Sequence, residues 1–152
     1  MRPSEGNERG WILLHGAAMV LVGLLCGLAA VVEEIAGSQP QQWRAAHNAL
    51  LLAGAWVLAT GAVLPSLVLM RREKMALCWS LLATAYAFTT TLLLQAITGV
   101  RVLEPGGSVS QWVAFLGNIV TVGASLLAAL FTFLGAWAAL RGNRREDRRI
   151  EP

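Results

Sequence analysis

A chain of 152 residues that is 56% hydrophobic and only 14% charged falls well below the roughly 25% charge of a soluble domain, which excludes an ordinary water-facing globule. Its net charge of +3 does not indicate a nucleic-acid partner, because the basic residues lie at the ends of apolar runs rather than along one face. The two cysteines, Cys26 and Cys78, do not make a disulfide-stapled scaffold.

Four runs contain no Asp, Glu, Lys or Arg: Trp11–Val32, Ala45–Met70, Met75–Thr98 and Gln111–Leu140. Each reaches the roughly 20 apolar residues that cross a hydrocarbon core as a helix. The expected fold is all-α, an integral membrane four-helix bundle over residues 11–140, with a polar tail at 1–10 and a basic tail at 141–152. A soluble bundle would need polar residues at every third or fourth position, and these runs lack them.

The first run follows Arg2 and Arg9 as a signal peptide would. It is longer than a signal-peptide core, leads to Glu33-Glu34 without a clear A-x-A site, and has no small residue just before Cys26. It is therefore expected to stay as the first helix, closed by Glu33-Glu34 and the turn Gly37-Ser38-Gln39-Pro40. The second helix is expected to start around Trp43 and to kink at Pro65, where a backbone hydrogen bond is lost. Arg71-Arg72-Glu73-Lys74 then reads as a basic turn that makes helices two and three antiparallel neighbours. Helix three ends near Gly99; Pro105-Gly106-Gly107 marks a turn, Ser110 is the candidate cap of helix four, and that helix runs to Leu140.

Ten basic residues lie on one side of this arrangement, in the two tails and the Arg71–Lys74 turn, and only Arg44 and Arg101 on the other. The imbalance predicts a multi-pass protein of the cell membrane with both termini cytoplasmic. Trp11, Trp43, Trp79, Trp112 and Trp137 fall near helix ends, the headgroup level that amphipathic rings favour, while Trp56 lies near mid-membrane. Cys26 and Cys78 lie toward opposite ends of a core roughly 30 Å thick, beyond disulfide reach.

Ionisable groups inside such spans are costly, so each is a candidate functional group. The only histidines are His15 and His47. His15 falls one turn inside the cytoplasmic end of helix one and His47 one turn inside the outer end of helix two, which argues against both ligating one metal within one chain. Asn48, Gln95 and Asn118 lie at a depth similar to that of His47, and their convergence would make a polar pocket in an apolar wall. Trp43, four residues before His47, shares its helix face and could pack on a flat cofactor. The blander expectation for each histidine is a hydrogen bond across helices to a carbonyl or amide. Thr89-Thr90-Thr91 is expected to bond its own helix backbone. Gly23-Leu24-Leu25-Cys26-Gly27 has the spacing of a helix-packing motif, although fifteen glycines dilute such a match. No carboxylate lies inside a run, which disfavours a proton pump.

His15-Gly16, the segment Trp43-Arg44-Ala45-Ala46-His47, and Val63-Leu64-Pro65-Ser66-Leu67 together resemble the styrene oxide isomerases. The resemblance is specific in helices one and two, weak in helix three and compositional in helix four. It implies a homotrimer holding haem b between subunits, with His47 as axial ligand. It also implies a ferric iron acting as Lewis acid on an epoxide oxygen, followed by ring opening to a benzylic cation and a hydride shift to an aldehyde, with no redox change. The family's asparagine two turns beyond the histidine is replaced by Ala53, and its helix-three aspartate and tyrosine by Thr84 and Leu92. Tyr86 is the helix's own tyrosine. These substitutions keep a second expectation open, a non-catalytic haem-binding membrane protein for sensing, storage or electron transfer, and a third, a structural membrane subunit without cofactor. The catalytic residues and the substrate are not assigned by the sequence.

Overall fold

A computed structural model describes residues 5–38, 40–99, 103 and 106–150, with side chains described for 8–38, 40–99, 103 and 106–142. Four α-helices make up these residues: α1 (Glu5–Ile35), α2 (Gln41–Val63), α3 (Arg71–Thr98) and α4 (Val109–Ile150), with one 3-10 turn at Leu64–Ser66. All four are long and apolar enough to cross a membrane.

The helices pair as two hairpins. α1 packs chiefly on α2 and α3 chiefly on α4, with lighter contact of α3 on α2 and α1. The first pair meets along a glycine seam. A Cβ on Gly16 would lie 2.9 Å from Leu58, one on Gly23 3.1 Å from Leu50, one on Gly54 2.7 Å from Val20, and one on Gly61 2.9 Å from Ile12. Gly16 and Gly23 are seven residues apart, as are Gly54 and Gly61. That is two turns, so each glycine pair lies on one face and the backbones can approach closely. Ile12, Met19, Cys26, Leu50 and Val57 are buried between them.

The second pair is joined by small and hydroxylated residues. Gly117 leaves room for Thr91, and Thr84 Oγ1 lies 3.4 Å from Ser125 Oγ. Thr121, Ser125 and Thr132 donate to the carbonyls of Gly117, Thr121 and Ala128, one turn back. Such bonds satisfy a hydroxyl where no water reaches. Thr91 departs from the expectation that its run bonds its own backbone: its hydroxyl is buried and has no partner among the described residues.

Helix boundaries differ from the sequence expectations in five places. α1 begins at Glu5, inside the expected tail, and Glu8 lies 4.0 Å from Lys74 of α3. α2 does not continue through a kink at Pro65. It ends at Val63, and Pro65 lies in the 3-10 turn, where its missing N–H is no loss. The chain is extended at Leu67, and Val68 N–H donates to Gly135 O at 3.2 Å. Arg71–Lys74 is consequently the first turn of α3 and not a connection. Glu73 accepts the Met70 N–H at 2.8 Å, which satisfies a donor the helix start leaves free. At the start of α4, Ser108 and not Ser110 accepts the Gln111 N–H, and the helix continues past Leu140 to Ile150.

Two turns depend on glycine. Gly37 (φ 75°) and Gly99 (φ 69°) adopt the left-handed conformation that ends α1 and α3 without a Cβ clash. An ion pair of 2.6 Å between Glu34 and Arg44 bridges the α1–α2 turn; both side chains are exposed, so it contributes at most about 1 kcal/mol. Cys26 and Cys78 are free thiols. Large apolar side chains such as Leu21, Leu28, Leu52, Leu126 and Phe133 cover the outside of the bundle.

Candidate functional site

His47 projects from the second turn of α2 toward α1, where the glycine seam reaches its end. Its Nδ1 lies 2.8 Å from Gly23 O. Because a carbonyl only accepts, Nδ1 carries the proton. The neutral imidazole then bears its lone pair on Nε2, which has no hydrogen-bond partner among the described residues. The cross-helix bond to a carbonyl is therefore present, and it uses one of the two ring nitrogens.

The ring packs closely against α1 because Gly27 has no side chain. A Cβ there would fall 2.6 Å from Nδ1 and 2.9 Å from Cε1. Gly23 and Gly27, spaced as G-x-x-x-G, form a cradle for the imidazole: one supplies the acceptor and the other the room. A backbone carbonyl on Nδ1–H is the usual means of fixing the tautomer, orientation and basicity of a metal-binding histidine. The residues thus fit an axial haem ligand. No group of three His, Cys, Asp or Glu side chains is gathered among the described residues. A haem would need only one histidine from the protein, as in globins and peroxidases.

Trp43 is half-buried against the core one turn before His47. The expected polar pocket is not closed by hydrogen bonds: none joins His47 to Asn48, Gln95 or Asn118 among the described residues. Asn48 is exposed beside His47, while Gln95 and Asn118 are half-buried on α3 and α4. Thr84, which the resemblance aligns with the family's aspartate, is buried in the α3–α4 seam facing Ser125. Ala53 and Leu92 pack against the apolar core.

His15 lies elsewhere. Its Nδ1 is 3.2 Å from Tyr86 Oη, and its ring stacks on Trp11 with centroids 5.8 Å apart. It meets α1 eight residues before Gly23, about 12 Å along the axis at 1.5 Å per residue. The two histidines thus belong to separate places. The contact of Gly23 and Gly27 with His47 and the His15–Tyr86 pair are features that sequence reasoning did not assign.

No curated protein and no solved structure matched the chain. The comparison with protein families matched residues 8–137 to styrene oxide isomerase. That range spans all four helices from Glu8 to Trp137, including both halves of the His47 cradle, and the chain belongs to the styrene oxide isomerase family.

Proposed function

We propose that this protein is a multi-pass membrane haem protein that isomerises an epoxide to a carbonyl compound without net redox change, with His47 Nε2 as the axial donor. The observation that carries it is the Nδ1–H bond from His47 to Gly23 O. That bond leaves Nε2 as a lone-pair donor and holds the ring still. When bound, the haem supplies a Lewis-acidic iron for the epoxide oxygen. Trp43, on the same helix face as His47, offers a flat surface for the cofactor. The apolar walls limit the water that would trap an opened epoxide as a diol.

The protein sits in the cell membrane with lipid around its apolar exterior, and its two termini are cytoplasmic by the ten-to-two bias of basic residues. It assembles as a homotrimer with haem b between subunits. The partial exposure of His47 at the margin of the α1–α2 pair supports that placement. Incubating the haem-loaded protein with aryl and alkyl epoxides is expected to give carbonyl products at a rate that falls at least 100-fold in His47→Ala. Diol alone, or no product, would contradict the assignment.

A second function is favoured by one specific observation. Ala53, Thr84 and Leu92 replace the family's polar positions, and Thr84 is turned into a helix seam. A non-catalytic haem protein for sensing, storage or electron transfer would retain His47 without them. A reversible spectral change on reduction, with no epoxide turnover, would select that function.

A further inference from the structure

Near the start of α1, far along the helix from the Gly23–Gly27 cradle of His47, a cleft of about 180 Å3 opens between α1 and α3. Trp11, Ile12, Met75, Cys78, Trp79 and Leu82 line it, together with Glu8. The walls are almost wholly apolar, and two indole rings flank the opening. Trp11 is 52% exposed and Trp79 66%, so the cleft opens to the outside of the chain. Cavities of about 150 Å3 lined by Leu, Ile and Phe hold benzene. The volume here suits one aromatic ring with a small substituent.

One turn further along each helix, outside the lining of the cleft, lies the His15–Tyr86 pair. His15 follows Trp11 by four residues and stacks on it; Tyr86 follows Leu82 by four residues. The 3.2 Å contact has two hydrogen placements. If His15 Nδ1–H donates to the phenol oxygen, the Tyr86 O–H is free to donate. If Tyr86 O–H donates to Nδ1, the neutral ring carries its proton on Nε2, and that N–H is free. In either case the pair offers one donor beside the aromatic-walled cleft, next to the Trp11 ring on which His15 stacks. An apolar slot with one placed polar group is the usual form of a small-molecule site.

We propose that this cleft binds a small neutral aromatic molecule bearing one hydrogen-bond-accepting oxygen, with the ring between Trp11 and Trp79 and the oxygen toward His15–Tyr86. The site does not rest on the assignment of His47. Acetophenone and ethylbenzene, similar in size and different in their acceptor, are the probes, titrated calorimetrically against the full chain in lipid nanodiscs with empty nanodiscs subtracted. Acetophenone is expected to bind about tenfold tighter, the worth of one hydrogen bond. The double variant H15F/Y86F should lose that preference. Leu82→Trp should weaken both probes at least tenfold, and His47→Ala should change neither.

A second measurement needs no variant. Saturating acetophenone is expected to slow alkylation of Cys78 by N-phenylmaleimide at least fivefold, with buried Cys26 as internal reference. Unchanged affinities in Leu82→Trp, loss of binding in His47→Ala, or a Cys78 rate indifferent to acetophenone would each overturn the proposal.

Discussion

The imidazole of His47 is held by a carbonyl and by a missing methyl group. Gly27→Ala would place a carbon 2.6 Å from Nδ1, so the ring must shift and its bond to Gly23 O must lengthen. Loss of such outer partners typically costs 10- to 100-fold in metal affinity. Haem affinity in Gly27→Ala is accordingly expected to fall by roughly tenfold in an apomyoglobin competition assay, with the four helices retained by circular dichroism. An unchanged affinity would mean that the cradle does not set the ring. His47 was legible in the sequence because an ionisable group in an apolar run is rare and costly. Gly23 and Gly27 were legible as a packing motif, but their contact with His47 was not, since only the crossing of two helices brings them to the ring. His15–Tyr86 was hidden for the same reason: the partners are 71 residues apart.

Along the helices, glycine and proline act by position and not by number. Gly54 faces backbone as well as side chain: a Cβ there would meet Val20 Cγ2 at 2.7 Å and Gly16 O at 3.0 Å. The backbone of α1 cannot yield as a side-chain tip can, so Gly54→Ala is expected to destabilise the α1–α2 pair by about 1–3 kcal/mol, read as a lower midpoint of denaturant unfolding in detergent. Gly123 has nothing within 4 Å, and Gly123→Ala should leave that midpoint within about 0.5 kcal/mol of wild type. Equal effects at the two positions would contradict the seam. The existence of the four helices could be read from charge-free runs alone, but their ends could not. Charge marks where a segment leaves an apolar layer, whereas hydrogen bonds decide where a helix stops. Pro65 ends α2 inside an uncharged run, and Glu73 starts α3 inside a charged one.

For the molecule as a whole, the described exterior of the helices is largely apolar. The proposed crossing of the membrane by four helices puts both termini on one side, and the excess of basic residues there is the ground for proposing that this side is cytoplasmic. Single cysteines placed at positions 2 and 145 of a cysteine-free background should resist a membrane-impermeant maleimide applied to intact cells and react after lysis. Labelling at either position before lysis would reverse the topology. The proposed trimer predicts a protein mass of three 16.2 kDa chains in detergent, measured by light scattering with the detergent contribution removed. A monomer that still binds haem stoichiometrically would place the cofactor within one chain instead of between subunits.

The most direct test of the central claim is the visible absorption of the purified protein, expressed with ample haem, beside that of His47→Ala with and without added imidazole. Wild type is expected to show a strong Soret band. His47→Ala should lose most of it, and imidazole, which can enter the space left by the ring and donate its own lone pair, should restore it. A colourless wild type, or a band unaltered by removing His47, would contradict the assignment of Nε2 as the iron ligand.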